Sequence, residues 1–155
     1  MTHNFERLKE HILPLSNANI FEVARTEWVL DSVEISDEFD YCPCGKEIKE
    51  HCYIRNTVTE NLTYVGNVCV NRFLNIDTET LFDGLKRIKK NLGANANLAV
   101  IEYAEEKGFL FDSEPTFLRE TIKKRKLSDR QKNWKKKINQ RILNGTVVQR
   151  RTTRN

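Results

Sequence analysis

Apolar residues recur along this chain in two different rhythms. Residues 3–13 place Phe5, Leu8, Ile12 and Leu13 at helical spacing, and Pro14 ends the pattern. Ser16 to Asn19 has turn composition, and Ile20 to Thr26 suits a short helix. Trp28-Val29-Leu30 and Val33-Glu34-Ile35 favour extended backbone, followed by an acidic stretch from Asp37 to Asp40. The rhythm then becomes strict alternation. Over Glu50 to Val58, Cys52, Ile54 and Val58 fall on one face, and Tyr53, Arg55 and Thr57 on the other. Asn61 marks a turn, with Asn56 placed to bond it. Leu62 to Val65 is a return strand, and Gly66-Asn67 closes the hairpin. Asn67 is placed to cap a helix from Val68 to Leu74.

The second half keeps to the helical rhythm. Thr78 is placed to cap a helix running to about Lys90, with Leu81, Phe82, Leu85 and Ile88 inward. Asn97 caps the next, with Val100, Ile101 and Ala104 inward and Gly108 as its stop. Phe109-Leu110-Phe111 is an apolar connector. Ser113 and Pro115 open another helix. Ser128-Asp129-Arg130-Gln131 is a capping box for the last one. On that helix Leu127, Gln131, Trp134, Ile138 and Ile142 share a face, Lys132 and Lys136 lie opposite, Lys135 is on the flank, and Asn144-Gly145 ends it. The pattern predicts an α+β fold. Its expected parts are a helix and extended segment over 1–36, a cysteine module over 37–76, helices over 77–145, and a basic flexible tail over 146–155. A chain of 155 residues predicts one compact domain with an appendage.

All four cysteines, Cys42, Cys44, Cys52 and Cys69, lie within 28 residues of one another, beside a tight CPCG turn. Four thiols so grouped point to one tetrahedral, structural zinc site. Cys42 and Cys44 come from a knuckle, Cys52 from the first hairpin strand, and Cys69 from the first turn of the next helix. Knuckle, hairpin and helix follow one another in treble-clef order. His51 competes with Cys52 for the third position. Strand neighbours face opposite ways, so only one of the two can serve. The apolar face shared with Ile54 favours Cys52. Phe73 is expected to pack under the knuckle, and Gly66 to allow close approach or a positive φ.

Charge is divided unevenly. From Arg119 to Asn155 there are 14 Lys/Arg against two acids, whereas the rest of the chain holds 12 basic and 20 acidic residues. A dense basic end on an acidic body fits nucleic acid, DNA or RNA, bound largely through phosphates. The candidate contacts are Lys123, Lys124, Arg125, Lys126, Arg130, Lys132, Lys135, Lys136 and Lys137. Arg150, Arg151 and Arg154 would extend them, and Tyr53 and Arg55 could stack on bases. The alternative is an adaptor or inhibitor docking on a host protein through its acidic body. His3, His11 and His51 form no catalytic constellation, and no phosphate-binding or nucleophile motif occurs, so neither an enzyme nor a small-molecule substrate is expected. No signal-like or membrane-length apolar run occurs, which points to the cytoplasm, where thiols stay reduced.

The string C-x-C-G…I…C-x-I-x-N-x-x-T…V-G-N-x-C-V-x-x-F is carried by Cys42, Cys44, Gly45, Ile48, Cys52, Ile54, Asn56, Thr59, Val65, Gly66, Asn67, Cys69, Val70 and Phe73. It resembles a small cysteine-rich module of uncharacterised phage and bacterial proteins. A looser pattern runs from Ala104 through Gly108, Glu114, Phe117-Leu118, Leu127-Ser128, Gln131 and Trp134 to Ile138. It looks like a helical segment of phage nucleic-acid-metabolism proteins. The resemblance implies a phage or prophage origin and a zinc-stabilised module, and carries no activity with it.

Overall fold

The computed structural model describes residues 3–149, and Arg150, Arg151 and Arg154 lie outside them. The architecture is α+β, with a three-stranded antiparallel sheet and seven α-helices among the described residues. The chain divides into two compact units at Glu79/Thr80 rather than forming one domain. The expected segments 1–36 and 37–76 both fall in the first unit, and 77–145 falls mostly in the second.

In the first unit, α1 (His3–Ile12) runs into a 3-10 turn over Leu13–Leu15 that contains Pro14. Short α2 (Phe21–Ala24) continues as a 3-10 turn, Arg25–Glu27, into β1 (Trp28–Tyr41). β2 (Glu47–Asn56) and β3 (Leu62–Gly66) complete the sheet in the order β1-β2-β3. Helix α3 spans Asn67–Leu74. The acidic stretch from Asp37 to Asp40 belongs to β1, where the register with β2 slips between Ile35 and Asp40. An interrupted register lets Ser36, Asp37, Glu38 and the exposed Phe39 lengthen the strand without matching its alternation.

The core of this unit holds Leu8, Ile12, Trp28, Cys52, Ile54, Val65, Val70 and Phe73. Phe73 packs its ring at a tilt against Phe21 at 5.7 Å and Trp28 at 6.3 Å, so it ties α3 to α2 and to the start of β1. Val58, expected on the inner face, is exposed in the β2–β3 turn. Asn56 takes the inner position instead. It is fully buried, and its Oδ1 accepts from the amides of Val58 (2.8 Å) and Thr59 (2.9 Å). Its Nδ2 donates to Glu27 Oε1 at 2.9 Å. The Glu27 carboxylate also accepts from the amides of Asn17 and Ala18. Two loops and a strand end therefore converge on one buried carboxylate. Those bonds, with Asn56 first, hold its pKa below the usual range against the opposing effect of burial.

The second unit contains α4 (Glu79–Lys90, from its second residue), α5 (Leu98–Lys107), α6 (Glu114–Glu120) and α7 (Asp129–Asn144). The inward stripes of α4 and α5 are buried as the periodicity requires. Asn97 caps α5 by accepting from Val100 N, and the Ser128/Gln131 capping box opens α7. Glu114 is buried between Arg141 Nη1, at 2.5 Å from Oε1, and Trp134 Nε1, which donates to Oε2 at 2.9 Å. Of the tail expected over 146–155, residues 150–155 lie outside the described residues. Val148 N and Gln149 N both donate to Gly108 O, and Gln149 Nε2 donates to Asp112 Oδ1. No helix among the described residues is long and apolar enough to cross a membrane.

Candidate metal centre and basic cleft

The first unit carries a thiol cluster. Cys42 follows directly on β1, and the CPCG turn is tied by Cys42 N to Lys46 O and by Gly45 N to Cys42 O, each 2.8 Å. Gly45 has φ +102°, a conformation that side-chain-bearing residues rarely adopt, and a Cβ there would meet the Arg7 guanidinium at 2.5 Å. The turn brings Cys44 beside Cys42, and α3 supplies Cys69 from its first turn. The three sulfurs lie within 4.8 Å of one another, close enough to hold a metal ion. Cys42 Sγ and Cys69 Sγ are 3.6 Å apart. A tetrahedral ion with metal–sulfur bonds of about 2.3 Å needs edges of roughly 3.8 Å.

The surroundings favour a thiolate at Cys42. Its sulfur accepts from Cys44 N at 3.5 Å and Gly66 N at 3.3 Å. The hydrogen bond with Cys69 lowers the Cys42 pKa most, and these two amides add to it against burial. The shared proton raises Cys69 in turn. Gly66 serves by close approach, with φ −74° rather than a positive value. A Cβ there would come within 2.8 Å of Ile48 Cγ2. Gly66 is also the cap residue of α3. Asn67 is the first helical residue, and its side chain bonds Glu50 and Thr78 instead of capping. Thr78 sends its hydroxyl to Asn71 and Asn67.

Cys52, the expected further ligand, is not in this group. It faces the fully buried side of β2 opposite Val65, within hydrogen-bond reach of the Thr78 hydroxyl. Burial pushes its thiol up to about 12. His51 is not in the group either. Its Nε2 is 3.3 Å from Asp40 Oδ2 and its ring packs on Tyr64 at 4.9 Å, on the other face of the sheet. Tyr53 and Arg55 share that outer face. The Tyr53 hydroxyl donates to Glu34, and Arg55 sits 3.9 Å from Asp31. His11 is held by Thr63 Oγ1 at 2.7 Å, and His3 is exposed at the start of α1.

The second unit carries a cleft of about 940 Å3. Its walls come from the end of α4 (Arg87, Lys90), the following loop (Asn91 and Gly93 to Asn95), the α6–α7 connector (Ile122 to Arg125, and Leu127) and one side of α7 (Lys132, Lys136). Seven Lys/Arg line it and no Asp or Glu does. Five of them, Lys123, Lys124, Arg125, Lys132 and Lys136, are among the residues expected from sequence. Arg87 and Lys90 were not, since a basic last turn ordinarily complements the helix dipole. Lys126 and Lys137 are exposed outside the cleft lining. Arg130 borders a separate groove with Phe117 and Trp134, whose rings stack at 4.0 Å.

Lys135 corrects the sequence expectation. It is 1% exposed, with Nζ 2.6 Å from Asn95 Oδ1 and 5.5 Å from the centre of the Phe117 ring. It is a buried strut and not a phosphate contact. Burial lowers its pKa to about 8. Asn95 in turn donates through Nδ2 to Ile122 O and Lys124 O, holding the connector. Asn139, one turn on from Lys135, donates to Leu92 O and Ala94 O, holding the loop. The cleft walls are thus pinned by amides from α7 and the loop itself.

Comparisons of the chain with protein-family models, curated proteins and solved structures give no match.

Proposed function

We propose that this protein binds nucleic acid through the basic cleft of its second unit, and that zinc bound by Cys42, Cys44 and Cys69 stabilises the first unit. The observation that carries the reading is the cleft itself. Seven cations from three separated stretches of chain converge on one concavity free of acidic side chains. Such a site attracts a polyanion, and its affinity is dominated by counterion release.

Zinc is favoured because three thiolate donors are soft ligands and the sulfur spacing suits a tetrahedron. The chain order of knuckle, β2–β3 hairpin and α3 fits a treble-clef-like module. The test is fluorescence anisotropy with labelled DNA and RNA, comparing the full chain with the exposed pair Lys132→Glu/Lys136→Glu. Salt-sensitive binding that the pair weakens at least about tenfold supports the reading. Equal binding by both proteins, or none at low salt, contradicts it.

A further inference from the structure

Resting on that reading, we infer that the ligand of the cleft is a single strand, held by a short run of phosphates with its bases unpaired. Four observations carry this. The cations converge into a concavity, with Arg87 and Lys90 on one wall and Lys132 and Lys136 on another. A duplex is a stiff rod with its phosphates outside, and proteins that read it project a helix or ribbon into its grooves. A flexible strand can follow a concave path that a rod cannot enter. The volume of about 940 Å3 is at the upper end of pockets that enclose one drug-sized ligand, roughly 300–1,000 Å3, which suits a few nucleotides.

The lining is also mixed. Ala94, Ile122 and Leu127 lie half-buried among the cations. Apolar surface inside a phosphate-binding cleft complements the faces of sugars and bases, which an unpaired strand exposes and a duplex keeps stacked away. The walls are already fixed by Asn95 and Asn139 through four carbonyls. A strand entering the cleft therefore meets a preformed site and loses little affinity to ordering the protein.

The experiment measures anisotropy of labelled oligonucleotides of about 20 nucleotides, single-stranded and as duplex, in DNA and RNA, from about 50 to about 200 mM salt. The full chain is compared with Lys90→Ala, Lys136→Ala and the double variant, all at exposed positions. Single strands are expected to bind at least about tenfold more tightly than duplex of the same sequence. Each substitution is expected to flatten the log–log salt slope by about 0.7, the value for one lost phosphate contact on a single strand. Duplex bound as tightly as single strand overturns the inference and leaves nucleic-acid binding standing. Single strands bound with slopes unchanged in the variants overturn the cleft as the site. No binding of any oligonucleotide at low salt overturns both this inference and the function it rests on.

Discussion

Lys135 Nζ donates to Asn95 Oδ1 across 2.6 Å, and the lysine that makes this bond is almost wholly buried. The bond crosses 40 positions of sequence and joins α7 to the loop that floors the basic cleft. A cation so placed has a cost that pH reveals. Its folded pKa of about 8 lies below the ordinary 10.5, so between those values the unfolded chain holds more protons than the native one. Stability attributable to Lys135 therefore rises as pH rises through that window. Lys135→Met should remove this rise. Urea unfolding of both proteins at pH 7, 9 and 10.5 reads it as a gap between them that changes with pH, and a constant gap would contradict the assignment.

The thiol cluster separates the four cysteines. Cys44→Ser should lose bound zinc and melt at lower temperature, because Cys44 is one of the three grouped sulfurs. Cys52→Ser should keep its zinc, because that thiol faces the core beside Thr78. Metal content by mass spectrometry under native conditions distinguishes the two. Loss of zinc from Cys52→Ser in a folded protein would return Cys52 to the ligand set.

The buried pair Glu114–Arg141 organises the second unit. Removing one partner, as in Arg141→Met, leaves the Glu114 carboxylate buried with its ion pair broken, and should cost about 3–5 kcal/mol. Removing both, in Glu114→Gln/Arg141→Met, should cost much less than the sum of the single changes. A double-mutant cycle by denaturant unfolding measures the coupling.

In the first unit, Asn56→Ala strands the amides of Val58 and Thr59 and removes one donor to the Glu27 carboxylate, and should cost about 2 kcal/mol in unfolding free energy. Glu27 also gives an acid-side signature. Its folded pKa is depressed, so its contribution is present above the ordinary value of 4.5 and disappears as pH falls through the lower, folded value. Glu27→Gln should lose stability at neutral pH and show a shallower acid transition than the parent when followed by circular dichroism.

What sequence could show was decided within a few residues. The Ser128/Gln131 capping box and the Asn97 cap act over three positions, and both occur as read. Gly108 and Gly145 end their helices for equally local reasons. The CPCG turn places Cys42 and Cys44 together without help from the rest of the fold. Asn67 misled because Asx side chains are good caps, yet here Glu50 and Thr78 compete for it from across the fold. Lys135 misled because lysine is almost never buried, and the partners that make it tolerable, the Asn95 oxygen and the Phe117 ring, lie 40 and 18 residues away. Arg87 and Lys90 gain meaning only when the connector after α6 folds opposite them.

The most direct test of the account is where a bound strand touches the chain. Titrating the isotope-labelled full-length protein with a short oligothymidine or oligouridine, and following backbone amide shifts by NMR, reads this residue by residue. The account requires the largest shifts at Asn91, Gly93, Asn95 and Lys123 to Arg125, around the cleft. Shifts concentrated on the sheet face of Tyr53 and Tyr64, or spread evenly over exposed lysines, would contradict it.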